Sequence, residues 1–217
     1  MTYRIFGIAL VFFSLSGHSA PKDITMVYEG DFTASQKSFA EKAAHIVFER
    51  IAENRVAQCA YRHSFREKSK QKLRKLWSSQ ITMLNKNPKA RLTIAKKSLK
   101  PNHYGEAKVG IAKIDRDRYR IENLAITLNE DTLNQDVEAY SKRSSSDRDI
   151  DIWVSTIAHE IGHNLGYRHG STGDWIIDYP GYFVTELGFC VMTNGKYGSD
   201  LGDLNRRRKY EKAAKGI

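Results

Sequence analysis

The sequence predicts an α/β domain in which short strands and longer helices follow one another along the chain. Short segments with the apolar patterns of strands are interleaved with longer segments of helical periodicity. The chain of 217 residues is long enough to bury a sizeable core. Its sequence contains no internal repeat of the kind that indicates a solenoid or a propeller.

The first part of the chain predicts one strand followed by one long helix. Apolar and polar positions alternate over residues 24–28, as in a strand. A helix is expected over residues 34–60, where apolar positions follow helical spacing at Phe39, Ala43, Ile46, Val47, Ile51 and Val56. The basic segment 62–75 either extends this helix or leads into a second strand.

Beyond residue 90 the pattern changes to short strands and then to helices. Strands are expected at residues 90–95, 107–114 and 123–128, with turn-rich residues 115–118 before the last. Several possible helix caps at 144–149 precede a segment with helical apolar spacing, at Ile150, Val154, Ile157, Ile161 and Leu165. A loop is then expected over residues 171–188, and a basic closing helix over residues 201–215.

Residues 1–20 have the features of a secretory signal peptide. A positive charge at Arg4 precedes an apolar run over residues 5–13, and small residues follow before Pro21. Cleavage after Ser19 and cleavage after Ala20 both fit the pattern. Residues 21–217 are then expected to form a single secreted or periplasmic domain with no transmembrane anchor.

The sequence HEIGHNLGYRH at residues 159–169 predicts a catalytic zinc site. On a helix, His159 and His163 are one turn apart on the same side, and Glu160 lies beside them as a candidate general base. Gly166 can adopt a positive φ and end the helix, so that the chain turns back and brings in His169 as the third ligand. Three imidazoles leave the fourth tetrahedral position of Zn²⁺ open for water.

Chance and core packing are the competing explanations for these histidines. HExxH alone arises by chance in about a few per cent of chains of this length, and the extended pattern is roughly several hundred times rarer. The apolar positions of the same predicted helix point on average away from His159 and His163. The histidines therefore lie off the core face, and a metal site is the favoured interpretation.

The motif resembles the zinc-binding signature of the metzincin clan of metallopeptidases, and its HEIGHNLG wording is most similar to the reprolysin (adamalysin) branch. The resemblance implies an α/β, zincin-type catalytic domain with a twisted mixed sheet and long helices, including the zinc helix. Its upper part would extend to about residue 169, and a smaller lower part would comprise residues 170–217. The resemblance also implies a methionine-containing turn beneath the zinc. The segment GFCVMTNG at residues 188–195 would supply this turn through Met192, for which an ordinary core methionine is the alternative.

Two positions depart from the family patterns. Gly170 follows the third histidine, where reprolysins usually have Asp. Asn194 stands two residues after the methionine, where astacins and serralysins have Tyr. No tyrosine ligand is therefore expected from the methionine turn.

Two cysteines in an exported protein suggest one disulfide, between Cys59 and Cys190. Two buried thiols, or a Cys59 thiolate that inhibits the zinc, are the alternatives. The inhibitory role is disfavoured, because the family's inhibitory cysteines belong to a propeptide and no prodomain is evident here.

The charge of the chain gives a weaker indication of its partners. Without Arg4 of the signal segment, 34 basic and 25 acidic residues leave a formal charge of +9. Basic clusters occur at residues 62–75 and 206–209. A solvated basic face is the favoured interpretation, and no nucleic-acid partner is expected, because no aromatic platform is interleaved with these charges.

The predicted function is that of a secreted zinc endopeptidase with one Zn²⁺ and a protein or peptide substrate. Glu160 would take the proton of the attacking water and pass it to the leaving amine. Two alternatives are a catalytic subunit of a multi-component toxin with a second subunit, and a non-enzymatic basic zinc-containing binding protein.

The resemblance also indicates where a substrate would lie. The strand expected at residues 107–114 would be the edge strand that pairs with an extended peptide. The segment 175–189 would form a wall of the pocket for the residue after the cut, with an apolar lining from Trp175, Ile176, Ile177, Tyr179, Tyr182 and Phe183. The specificity of such a pocket depends on loop shape and is not predicted.

Overall fold

The computed structural model describes residues 24–64, 70–87, 90–101, 103–107, 111–115, 118–121, 123–142, 147–168 and 182–196. Over these residues the chain is mixed α/β, as expected, with six strands and six helices. None of the described helices is long and apolar enough to cross a membrane. The signal segment 1–20, the proposed ligand His169 and the expected closing helix 201–215 lie outside the described residues.

The strands form one four-stranded sheet and one two-stranded sheet. They are β1 (Thr25–Glu29), β2 (Arg91–Lys97), β3 (Gly105–Ala107), β4 (Ile111–Asp115), β5 (Arg118–Ile121) and β6 (Asn123–Asn129). The larger sheet has the order β1-β2-β6-β3, in which β1, β2 and β6 are parallel and β3 is antiparallel to β6. β4 and β5 pair antiparallel with each other.

The prediction of a single strand over residues 107–114 is wrong. Among the described residues, β3 is one of the two edge strands of the larger sheet and ends at Ala107, whereas β4 begins at Ile111 and pairs with β5. The predicted turn at 115–118 is shorter than expected, because Asp115 and Arg118 already pair across the two strands. The apolar pattern that suggested one strand thus covers parts of two strands in different sheets. Such a pattern does not indicate which strand each part pairs with.

The larger sheet is anchored by alternating apolar residues of its central strands. Leu92 and Ile94 on β2 are fully buried, and they are joined on β6 by Leu124, Ile126 and Leu128. Because alternate side chains of a strand point to one face, these five residues line the same side of the sheet. Burial of this kind stabilises the fold by about 1.5–3 kcal/mol for each large aliphatic side chain.

The helices are α1 (Ala34–Arg50), α2 (Asn54–His63), α3 (Lys70–Lys86), α4 (Glu130–Lys142), α5 (Asp147–Asn164) and α6 (Phe183–Met192). α5 contains the histidine motif and packs against α1, α6 and the sheet strands β3 and β6. α1 begins with a capping box, in which Thr33 and Gln36 bond each other's backbone N–H groups. α3 and α4 were not predicted as helices.

The prediction of one helix over residues 34–60 is wrong, because the chain turns between α1 and α2. Glu53 has an extended backbone, with φ −71° and ψ 135°, and it precedes the first residue of α2. Ile51 and Val56 are both fully buried on either side of the turn, so the apolar spacing continues through it. The change of direction lets α2 pack against α6.

The prediction of a loop over residues 171–188 is wrong for its last part, which belongs to α6. All ten residues of α6 are buried. A helix that is enclosed on every side has no polar face, so the amphipathic pattern that identifies surface helices is missing. α6 is therefore an internal element that packs against α5, α2 and α1.

A disulfide joins α2 to α6. Cys59 and Cys190 are bonded, with their Cα atoms 5.8 Å apart and a sequence separation of 131. This is the pairing expected from the sequence, and it excludes the two free-thiol alternatives for this structure. The bond fixes the C-terminal half of α6 to the rest of the domain.

Removal of the disulfide is expected to destabilise the fold. The loop that it closes is long, so a Cys59→Ala/Cys190→Ala variant should lose up to about 5 kcal/mol of unfolding free energy by chain entropy. Urea denaturation of the variant and of the parent protein measures this difference. The parent under reducing conditions is the matched control and should resemble the variant, whereas equal midpoints for the oxidised parent and the variant would contradict the stabilising role.

Candidate metal centre

The two described histidines of the motif face each other on one side of α5. His159 and His163 are one helical turn apart, and their Nε2 atoms are separated by 3.1 Å. The ring planes are nearly perpendicular, with an angle of 84° and a centroid distance of 4.7 Å. Both rings thus direct the same nitrogen at one point in space.

The other ring nitrogen of His163 is held by the turn that ends α5. Gly166 has a φ of +91°, as the sequence predicts, and a Schellman arrangement follows: Gly166 N–H donates to His163 O and Tyr167 N–H donates to Gly162 O. The reversal brings the Tyr167 carbonyl oxygen to 2.7 Å from Nδ1 of His163. An Nδ1–H donor in that position leaves a lone pair on Nε2.

α6 holds the His159 imidazole in the corresponding way. The His159 ring makes a hydrogen bond with the backbone of Val184, and this bond raises the pKa of the ring. A bond that favours the protonated ring is one that the ring donates, so the acceptor is the Val184 carbonyl oxygen. Since Nε2 faces His163, the nitrogen available for Val184 is Nδ1. Burial is the largest cause that lowers the pKa of His159 well below its ordinary value of 6.5, and a positive charge on His163 would lower it further. His159 is therefore neutral at pH 7.

The donor set fits a tetrahedral zinc ion. With both Nδ1 atoms donating to carbonyls, each Nε2 atom keeps its lone pair, and the two Nε2 atoms lie 3.1 Å apart. A hydrogen bond between the two Nε2 atoms would need a proton on one of them. That ring would then be either a buried imidazolium or a tautomer in which an unprotonated Nδ1 faces a carbonyl oxygen. Two nitrogens bound to tetrahedral zinc at about 2.0–2.1 Å are about 3.3–3.4 Å apart, close to the observed separation.

Glu160 lies next to this pair and is almost completely enclosed, with 5% of its surface exposed. Its side chain packs against the edge strand β3: a Cβ atom added at Gly105 would lie 3.2 Å from Glu160 Cγ and 3.0 Å from Thr156 Cγ2. The glycine therefore allows β3 to approach α5 at the residue predicted to be the general base. Glu160 and the sheet edge lie side by side.

Asn164 ties the histidine-bearing end of α5 to the sheet. Its amide group accepts from Ala125 N–H at 2.8 Å and donates to Ala125 O at 3.0 Å, and it also donates to Glu160 O at 3.0 Å. Ala125 is one position beyond the β6 residues that pair with β3. The Asn164 side chain thus continues the hydrogen bonding of β6 where β3 ends, and it fixes α5 against the strand.

An aromatic cluster supports the turn after α5. The centroid of the Tyr167 ring lies 4.7 Å from that of Phe183 and 5.8 Å from that of Trp77. The Phe183 ring also stacks on Tyr61, with a centroid distance of 5.5 Å. Gln80 adds a 2.6 Å bond from Nε2 to Leu165 O. These contacts keep the Tyr167 carbonyl beside His163.

The predicted pocket wall at residues 175–189 needs a correction at Phe183. Its side chain is fully buried among Tyr61, Trp77 and Tyr167, so it belongs to the core and does not line a pocket. The reason is that residue 183 begins the internal helix α6. Residues 175–179 lie outside the described residues.

Met192 is the last residue of α6 and is followed by a turn at residues 193–195, where Asn194 and Gly195 have positive φ. Arg50 of α1 donates to Met192 O at 2.9 Å and to Val191 O at 3.2 Å, which satisfies carbonyls at the helix end. The Met192 side chain is buried. Its expected role as a floor under the imidazoles stays a prediction.

The third expected ligand, His169, lies just outside the described part of the chain. Within the residues described, no group of three His, Cys, Asp or Glu side chains is arranged to hold a metal ion. The structure therefore brings the rings of His159 and His163 together, with Glu160 as the residue that follows His159 on α5, and the contribution of His169 stays a prediction. Asn164, Gln80 and the carbonyls of Tyr167 and Val184 were not predicted as supporting groups.

Comparisons with protein-family models, with curated proteins and with solved structures found no match. The function is therefore inferred from the chain's own residues and their geometry.

Replacement of Asn164 should weaken the connection between α5 and the sheet. Asn164→Ala leaves the N–H and C=O of Ala125 without these partners, which is expected to lower the unfolding free energy by about 2–4 kcal/mol. Chemical denaturation measures the loss, with Gln58→Ala on the exposed face of α2 as the control, expected within about 0.5 kcal/mol of the parent. A stability for Asn164→Ala equal to that of the control would refute the anchoring role.

Proposed function

We propose that the chain is a zinc-dependent endopeptidase of metzincin type, in which His159, His163 and His169 hold one Zn²⁺ and Glu160 is the general base. The observation that carries this proposal is the 3.1 Å approach of two imidazole Nε2 atoms whose other nitrogens donate to backbone carbonyls. Metal-ligating histidines are usually held by such second hydrogen bonds, which fix the tautomer and the ring orientation.

The turn at Gly166 supports His169 as the third ligand. The Tyr167 carbonyl is already 2.7 Å from the His163 ring, and His169 follows only two residues later. Two residues span at most about 7 Å, so the His169 imidazole starts within reach of the same point. No other His, Cys, Asp or Glu among the described residues competes for that position.

A zinc ion in this site would lower the pKa of a water molecule to about 7 and polarise the substrate carbonyl. The chain's own residues supply the proton transfer. Glu160 follows the ligand His159 directly in sequence and is shielded from bulk solvent. Its carboxylate is expected to accept the proton of the attacking water and to deliver it to the leaving amine, which is typically worth 10²–10⁴-fold in rate.

The edge strand β3 supports a peptide as the substrate. β3 is the last strand of the described sheet and pairs with β6 along one side only. An extended peptide could add to its other side through backbone hydrogen bonds, as in other cases of strand addition. Glu160 packs on Gly105 of the same strand, so such a peptide would pass close to the proposed general base.

Secretion belongs to the same proposal. The disulfide between Cys59 and Cys190 is compatible with an oxidising compartment outside the cytosol. The predicted signal peptide over residues 1–20 would direct the chain there. A basic binding protein with structural zinc is disfavoured, because it has no need of a buried carboxylate at Glu160.

Glu160→Gln should separate the proton-transfer role from metal binding. The amide has nearly the same shape but cannot accept the proton, so peptide hydrolysis should fall by about 10²–10⁴-fold while the zinc content stays near one per chain. Hydrolysis of a peptide library, with and without a chelator, measures the activity. The control is Glu138→Gln, an exposed residue of α4 paired with Lys142, and it should be fully active. Activity of Glu160→Gln within a few-fold of the parent would rule out the base.

His163→Ala should lose the metal. Two ligands do not retain zinc against a chelator, so the zinc content of the purified variant is expected to fall well below one per chain. Elemental analysis after dialysis gives the stoichiometry. His45→Ala, at an exposed position of α1, is the matched control and should keep its zinc. An unchanged zinc content in His163→Ala would overturn the ligand assignment.

A further inference from the structure

We propose that Gly162 and Gly188 are positioning residues for the metal site, because they let α6 lie close enough to α5 for the Val184 carbonyl to hold the His159 imidazole. This inference rests on the proposed function and deepens it, since it names the residues that control metal affinity. Neither glycine is a ligand, and neither has a φ that requires glycine. Their importance lies in the space that they leave.

At both glycines, α5 and α6 lie too close together to leave room for a Cβ atom. A Cβ atom at Gly162 would lie 2.8 Å from Val184 Cγ2 and 3.4 Å from Leu187 Cδ2. A Cβ atom at Gly188 would lie 2.7 Å from Ser155 O and 3.5 Å from His159 Cβ. Contacts under 3.0 Å are essentially never observed for real Cβ atoms, so either substitution would require a shift of the atoms that α5 and α6 bring into contact there.

The direction of that movement follows from how α6 is anchored. Its C-terminal half is fixed by the disulfide at Cys190 and by Arg50, which donates to the carbonyls of Val191 and Met192. Val184 is at the opposite end of α6, directly against Gly162. A methyl group at position 162 would therefore displace the end of α6 that carries the Val184 carbonyl.

Loss of this carbonyl would act on the metal through His159. The hydrogen bond from His159 to Val184 keeps the Nε2 atom unprotonated and 3.1 Å from Nε2 of His163. Without it, the ring can rotate or change tautomer. Replacement of such outer partners typically lowers metal affinity by about 10–100-fold, and a similar loss is expected here.

The arrangement of the clash allows a rescue experiment. The atom nearest to a Cβ at position 162 is a methyl group of Val184, and Val184→Ala removes that methyl but keeps the backbone carbonyl. Gly162→Ala should therefore weaken zinc binding at least tenfold in the parent background and less than threefold in the Val184→Ala background. At Gly188 the nearest atom is the backbone oxygen of Ser155, so no side-chain substitution should rescue Gly188→Ala.

The test measures the zinc dissociation constants of the parent, of Gly162→Ala, of Val184→Ala and of the double variant. Competition with a chelator gives each constant. The control is Ile94→Val, which trims a buried side chain of β2, whereas both glycines lie at the contact of α5 with α6, and it should leave the zinc affinity unchanged. Parent-like affinity in a folded Gly162→Ala variant, or an equal loss in both backgrounds, would overturn the inference while the zinc assignment stood. A parent protein that binds no zinc would overturn the proposed function itself.

A second measurement covers the case in which Gly162→Ala does not fold. Long-range proton–nitrogen spectra of the metal-free parent report the tautomer of each imidazole. His159 is expected as the Nδ1–H tautomer, with its proton on the Val184 carbonyl. An Nε2–H tautomer of His159 would contradict the positioning role whatever the behaviour of the variants.

Discussion

The candidate metal site depends on one constraint: the imidazoles of His159 and His163 are each held by a backbone carbonyl, so that both Nε2 atoms keep a lone pair and lie 3.1 Å apart. Two lone pairs at that distance repel each other, and a cation between them removes the repulsion. Neither carbonyl belongs to the helical turns that carry the histidines. One comes from the reversal at Gly166, and the other comes from α6.

The surrounding fold can be understood from the need to hold these two carbonyls. The aromatic cluster around Phe183 fixes Tyr167, whose carbonyl contacts His163. The disulfide and Arg50 fix α6, whose Val184 contacts His159. Asn164 fixes α5 itself to β6. Long-range contacts from several parts of the chain thus converge on a site that is local in sequence.

The parts of the fold that were predictable are those set by local pattern. The strands near 24–28, 90–95 and 123–128, the helix with the histidine motif and its end at Gly166 follow from periodicity and from one residue that tolerates positive φ. α4 escaped prediction because Leu133 is its only fully buried residue, and α6 because it has no polar face. α3 does carry a helical series, at Leu73, Trp77, Ile81 and Leu84, but its basic residues obscured that pattern. The hydrogen bonds to the imidazoles were not predicted, because every residue has a backbone carbonyl and the sequence does not show which of them lies beside a histidine.

The most direct test of the central claim is X-ray absorption spectroscopy at the zinc edge on the purified, zinc-loaded protein. The account predicts one zinc per chain with about three nitrogen ligands of imidazole type near 2.0 Å and one oxygen ligand, in four-coordinate geometry. Multiple scattering from the imidazole rings identifies the histidines. A spectrum of hydrated zinc with six oxygen neighbours, or a site with sulfur ligands, would contradict it.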